Sequence, residues 1–166
     1  MTGTDLEISC VNEQDVDVDL DEIEALARFI LVDRRMPAGT ELGVHLVDEE
    51  TIAAYNKRFR GRAEPTDVLS LPVDDMPRGR KDAPERATPD EPPVVLGDVV
   101  ICPAVAARLA PERTGELGAE LRLLTAHGVL HLLAYDHAID DEAAEMEALE
   151  DDLLTRFRQA AAEPTP

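Results

Sequence analysis

Hydrophobic and polar positions along the chain fall into blocks, and the period changes from block to block. Leu6, Ile8 and Cys10 recur at every second position, which predicts a short strand over residues 6–11. Leu20, Ile23, Leu26, Ala27, Ile30 and Leu31 then recur at helical spacing. That helix has Asp19 or Asp21 as its N-cap, runs to about Arg35, and is ended by Pro37 and Gly39. Leu42, Val44 and Leu46 return to period two as a second strand, with His45 on its other face. A solvated or locally bonded side chain is the expectation for His45, because nothing near it has ligand spacing. Asp48 can cap a helix whose apolar positions are Ile52, Tyr55 and Phe59. Residues 68–71 predict a strand that lies at a sheet edge or ends at Pro72.

Residues 74–93 hold five prolines and no apolar period, which predicts a long loop. Residues 94–101, VVLGDVVI, are almost continuously apolar and read as a buried strand. Pro103 suits the first turn of a short helix. From Glu116 to about Ala134 the chain is apolar nearly all round, so this helix is buried and forms the spine of the domain. Asp140 and Asp141 start a last helix with Met146, Leu149, Leu153 and Phe157 inward, and residues 160–166 read as a frayed tail.

The order β-α-β-α-β-β-α-α-α predicts an α/β (α+β) fold. Its core is a small mixed four-stranded sheet packed with about five helices, in a single domain over residues 1–166. With aromatics at only 3%, packing rests on Leu, Val, Ile and Ala. No apolar run approaches the roughly 18 residues of a membrane span. The N-terminus MTGTDLEISC lacks the basic start and apolar region of a signal peptide. Cys10 and Cys102 have neither metal-site nor disulfide-framework spacing. A cytoplasmic location is therefore expected. The net charge of −20 argues against free association with nucleic acid. Yet eight of the 16 Lys and Arg residues lie between Lys57 and Arg86, against six acids in that segment.

Candidate chemistry is concentrated in residues 127–137, HGVLHLLAYDH, which hold three of the four histidines at offsets 0, 4 and 10. Residues four apart share a helix face, with Cβ atoms about 5–6 Å apart, so His127 and His131 can reach one ion. His137 can join them only if the chain turns back after Leu133. A lone histidine on an apolar helix is usually a core residue, but three at this spacing predict a shared metal. The logic is that of the zincin HExxH helix, and metzincins place their third histidine at offset 10 as well. Gly128 stands where those proteases have a catalytic Glu, and Ala134 where they have a turn Gly. The ligand set survives and the general base does not, which argues against peptide hydrolysis by the usual route. Three neutral imidazoles would leave zinc its full charge and an open position, where the pKa of a water can fall to about 7.

HGVLHLLAYDH resembles the HGxLHLxGYDH signature of the YbeY family, bacterial endoribonucleases of rRNA maturation. Residues 56–72, NKRFRGRAEPTDVLSLP, are similar to the family's N-x-x-(F/Y)-R…PTDVLSFP block, with Leu71 for the usual Phe. LGDVVICP at 96–103 is similar to its LGDI-I-P block, and Glu120 and the EMEALE of 145–150 also fit. The matching blocks run from about residue 50 to 155 in family order. The resemblance implies a zinc-dependent, single-strand-specific endoribonuclease acting in 16S rRNA 3′-end maturation and ribosome quality control. It also implies the small subunit and the GTPase Era as partners, and the lack of a long apolar run leads to the expectation of no membrane partner. Carried over by position, His127, His131 and His137 hold one zinc per chain, and Arg60 is the functional arginine.

A guanidinium suits that last role, because phosphodiester cleavage develops charge on non-bridging oxygens and Arg60 can meet it bidentately. Arg58 and Arg62 are candidate substrate contacts. Asp67, Asp98 and Asp136 are candidates to orient a ligand or water. Asp67 can equally cap a turn beside Pro65 and Thr66, and no residue stands out as general base. Two alternatives stay open, a non-catalytic zinc-binding assembly factor and a metal hydrolase of another substrate. Ala134 replaces the signature's Gly, a change that costs on the order of 1 kcal/mol if the position requires a positive φ.

Overall fold

A computed structural model describes residues 5–74, 93–135 and 140–162. The elements follow the predicted order. They are β1 (Glu7–Glu13), α1 (Leu20–Asp33), β2 (Glu41–Val47), α2 (Glu49–Arg60), β3 (Val68–Pro72), β4 (Val95–Ile101), α3 (Pro103–Leu109), α4 (Leu117–Leu132) and α5 (Asp140–Ala162), with a 3-10 turn at Ala110–Glu112 between α3 and α4. The four strands form one mixed sheet in the order β1-β2-β4-β3. β1 pairs parallel with β2, β2 parallel with β4, and β3 antiparallel with β4. β3 is thus an edge strand, and Pro72, which has no N–H to give to a ladder, is its last residue.

Side-chain alternation sorts the sheet between two cores. Leu42, Val44, Leu46, Val99 and Ile101 join a large core with Leu26 and Ile30 of α1, Leu124 and Val129 of α4, and Met146 and Leu153 of α5. Val47, Leu69 and Val100 join a smaller one with Ile52 of α2 and Val105 of α3. With apolar side chains required on both faces, β4 reads as a continuous apolar run. α4 crosses the large core so closely that a Cβ on Gly128 would lie 2.5 Å from Val99 Cγ1. In the zincin pattern this position carries the catalytic Glu, and here helix-on-sheet packing fills it.

Differences from the expected boundaries have local causes. β1 continues to Glu13 because its parallel register with β2 runs as far as Glu13↔Val47. α1 stops at Asp33, before Pro37, with Arg35 left-handed at φ 58° and Met36 N–H donating to Leu31 C=O. α5 continues to Ala162, into the stretch read as a frayed tail, on the helix-favouring run Gln159 to Ala162. Phe59, placed among the apolar positions of α2, is half exposed. Most of the proline-rich loop, residues 75–92, lies outside the described residues, as do Asp136, His137 and the last four residues.

Three helices end on a left-handed residue, Arg35 after α1, Gly61 after α2 and Ala134 after α4. After α2, Gly61 is left-handed at φ 72° and its N–H donates to Lys57 C=O at 3.1 Å, the simpler αL closure. After α4, Tyr135 N–H donates to Leu130 C=O and Ala134 N–H to His131 C=O, with Ala134 at φ 71°. That pair of bonds, which α1 also makes through Met36 and Arg35, is a Schellman closure; like the closure of α2 it satisfies the last carbonyls and demands a left-handed residue. The sequence-based expectation for Ala134 depended on this sign of φ, and the angle is positive.

Candidate active site

The C-terminal half of α4 presents His127 and His131 one turn apart. Their rings meet edge to face, with centroids 4.5 Å apart and planes at 81°. The two Nε2 atoms approach to 3.0 Å. Tetrahedral ligands at the usual zinc–nitrogen distance of about 2.0–2.1 Å stand roughly 3.3 Å apart, so the pair needs little adjustment to share an ion. His127 Nδ1 donates to Glu150 Oε1 on α5 at 2.5 Å, which makes Nε2 the nitrogen that carries the lone pair. The chemistry of this donor set fits zinc. His137, the third expected ligand, lies outside the described residues, and among those described no group of three His, Cys, Asp or Glu side chains could hold a metal. Burial pushes the Cys10 thiol up to about 11 and raises Cys102 as well, so neither offers a thiolate at neutral pH.

The histidines open into a cleft of about 730 Å³ whose other walls are the end of α2 and the whole of β3. Phe59, Arg60, Asp67, Ser70, Leu71 and Pro72 line it together with His127 and His131. Arg60 is the last residue of α2, and it is exposed. Lys57 and Arg58 share that turn and complement the negative end of the helix dipole. Arg58 lies over the Phe59 ring at 5.2 Å, whose neighbour on the helix is Tyr55 with centroids 6.1 Å apart. Arg58 and Arg62 are exposed but do not line the cleft. Asn56 secures the loop that follows, its Nδ2 donating to Glu64 C=O at 2.8 Å.

β3 is fastened to both neighbours. Ser70 Oγ donates to Gly128 C=O at 2.9 Å, which links β3 to α4 at the residue where α4 packs on Val99 of β4. Arg113 bridges Asp67 and Glu120. Its Nη1 donates to Asp67 Oδ2 at 3.1 Å, and its Nη2 forms an ion pair with Glu120 Oε2 at 2.9 Å that lacks hydrogen-bond alignment. Glu120 is fully buried in α4 and also accepts from Thr114 Oγ1 at 2.8 Å. Asp67 therefore sits in the cleft wall with Arg113 as its partner.

Asp98 does not join this arrangement. Strand alternation puts it on the face of β4 opposite Val99 and α4, where its Oδ1 meets His45 Nε2 at 3.0 Å. Both belong to a separate hollow between β1, β2 and β4. The expectation that Asp98 orients a ligand of the histidine site is corrected accordingly. His45 is locally bonded, as expected. Asp136 lies outside the described residues. Glu150 was missed as an individual residue. The signal that could have found it is its register, four residues after Met146 and three before Leu153, on the inward stripe of α5.

Residues 8–158 match the family model of endoribonuclease YbeY. The chain belongs to the YbeY endoribonuclease family. It is 46% identical over 151 residues to endoribonuclease YbeY of Acidothermus cellulolyticus, covering 91% of each chain. It is 44% identical over 153 residues to the Mycobacterium ulcerans protein of that name, covering 92% of this chain and 83% of that one. The solution structure of a Thermotoga maritima protein superposes with a TM-score of 0.57 at 23% identity, over 95% of this chain and 96% of that one, and shares the fold. The matched span contains the cleft from Phe59 to His131, and Glu150 behind His127.

Proposed function

We propose that this YbeY-family chain hydrolyses single-stranded RNA in ribosomal RNA maturation, with one zinc ion held by His127, His131 and His137. The observation that carries the reading is the convergence of Arg60 with His127 and His131 in one cleft. Bound zinc would supply Lewis acidity and lower the pKa of a coordinated water. The chain's own residues do the rest. Arg60 offers two N–H groups in a fixed fork to the non-bridging phosphate oxygens, where charge grows as the bond breaks. Half-exposed Phe59 gives an unpaired base an apolar wall beside that contact. His127, held by Glu150, keeps its proton on Nδ1 and its lone pair toward the site. Gly128 cannot act as a base, and Asp67 is engaged by Arg113.

Family membership supports finer expectations: 16S rRNA 3′-end maturation and ribosome quality control in the cytoplasm, with the small subunit and an Era-type GTPase as partners. Among the described residues no helix is long and apolar enough to cross a membrane. A charge of −20 opposes free RNA binding, so attraction has to be local, and Lys57, Arg58, Arg60 and Arg62 at the end of α2 are its candidates.

The test is cleavage of a single-stranded RNA by zinc-loaded protein, wild type beside Arg60→Lys. Lysine keeps the charge but not the bidentate contact. Activity should fall on the order of 100-fold, while zinc content and melting temperature stay as in the wild type. An Arg60→Lys variant as active as the wild type would refute the role of the guanidinium, and equal activity in His131→Ala would refute the metal.

A further inference from the structure

The inward stripe of α5 runs through Met146, Leu153 and Phe157, all buried, with Leu149 partly so. One carboxylate interrupts it. Glu150 is only 7% exposed, and a carboxylate in apolar surroundings is costly unless it is paired and hydrogen-bonded. Its Oε1 reaches across to α4 and accepts from His127 Nδ1 at 2.5 Å. The partner is thus one of the two histidines whose Nε2 atoms face each other across 3.0 Å.

We propose that Glu150 is a positioning residue of the metal centre. It holds the His127 proton on Nδ1 and fixes the ring plane, so that the Nε2 lone pair is aimed where His131 also points. The inference rests on the reading of His127 as a metal ligand. The physical cause is tautomer choice. A neutral imidazole carries one proton, and with nothing to accept it at Nδ1 the ring can place it on Nε2, where it blocks coordination. An acceptor behind the ring removes that competing state, and a charged one also makes the ligand nitrogen more basic. Loss of such a partner typically costs about 10- to 100-fold in metal affinity. The bond also links α5 to α4, so the last helix of the chain contributes to a site whose ligands lie in the motif before it.

The experiment measures zinc affinity by competition with a chromophoric chelator, for wild type, Glu150→Gln and Glu150→Ala, and records nitrogen NMR of the histidine rings in the zinc-free proteins. Glu150→Ala should bind zinc about 10- to 100-fold more weakly, and its His127 should move toward the Nε2–H tautomer. Glu150→Gln is nearly isosteric and still accepts a hydrogen bond, so it should fall between the two and keep the wild-type tautomer. A purely structural Glu150 would lower the melting temperature and leave affinity and tautomer unaltered, which would overturn the proposal. Should Glu150→Ala fail to fold, the Gln variant carries the test, and wild-type zinc affinity in it would overturn the proposal too. Wild-type protein that binds no zinc would overturn the metal reading along with it. Normal wild-type binding beside an unaltered Ala variant would overturn this inference alone.

Discussion

Replacing Ala134 by glycine should stabilise the protein. The residue closes α4 at φ 71°, with Ala134 N–H bonded to His131 C=O and Tyr135 N–H to Leu130 C=O. A Cβ in that conformation meets the following carbonyl and costs roughly 1–2 kcal/mol. Glycine removes this cost but loses more chain entropy on folding, roughly 0.5–1 kcal/mol. The balance is a gain of about 0.5–1 kcal/mol. For a domain of this size each kcal/mol moves the melting temperature by about 2–4 °C, so the expected rise is roughly 1–4 °C. Urea unfolding of metal-free protein is the suitable assay, since bound zinc would add its own stabilisation. Gly61→Ala is the mirror control. Gly61 has φ 72°, and nothing lies within 4 Å of the Cβ it would gain, so only the backbone term changes. It should lose what Ala134→Gly gains. A destabilised Gly61→Ala beside an Ala134→Gly of unchanged midpoint and slope would refute the reasoning, because the alanine methyl would then have to contribute as much as the strain removes.

Two further predictions follow from packing and charge. Gly128→Ala forces a Cβ to 2.5 Å from Val99 Cγ1 and should destabilise by about 1–3 kcal/mol in the same assay, with loss of structure at the cleft as α4 lifts from β4. Burial alone would raise the Asp33 carboxyl, but hydrogen bonds from Arg156 and Arg34 outweigh it and hold the group below the usual carboxylate range. Its contribution is therefore present above the ordinary aspartate pKa of about 3.9 and is lost as pH falls through the lower folded value. Asp33→Asn should accordingly be less stable than wild type at neutral pH, and the difference should shrink in acid. A difference that is constant or grows toward low pH would contradict this.

Much of the fold was legible because single periodicities recorded it. Leu42, Val44 and Leu46 lie on one face of β2 with Gly43 and His45 between them, so the alternation stays visible, and the α1 stripe has one core to face. The histidine pair was legible for the same reason, since four residues are one turn wherever the helix sits. What was lost depended on contacts between elements. Asp98 lies in a strand buried on both faces, where continuous apolar residues hide the alternation and so hide the side on which an acid falls. Glu150 stands in an acidic helix, EMEALEDD, where one more glutamate looks solvated until the partner of that face is known. Phe59 fits the helical spacing of Ile52 and Tyr55, but α2 overhangs the cleft at its last turn, and its ring is half exposed. The left-handed residue after α1 carried no signal, because Arg35 is held there by the closure of the helix and not by its own preference.

The mixed sheet has a kinetic consequence. β1 and β2 are joined by residues 14–40, of which 14 fold locally as α1. β4 is the strand between β2 and β3, and it follows β3 only after residues 73–94. Pairing β4 with β2 closes residues 48–94, a longer stretch than the 14–40 between β1 and β2, and that entropy is lost before any pairing returns it. The cleft needs β3 on β4, α4 over Val99 and then α5 behind His127, so each wall waits for the one before. Refolding is therefore expected to give early protection of amides in β1 and β2 from hydrogen exchange and late protection in β3. If His127 and His131 hold zinc as proposed, its uptake should follow the slowest of these steps and not the first collapse of the chain.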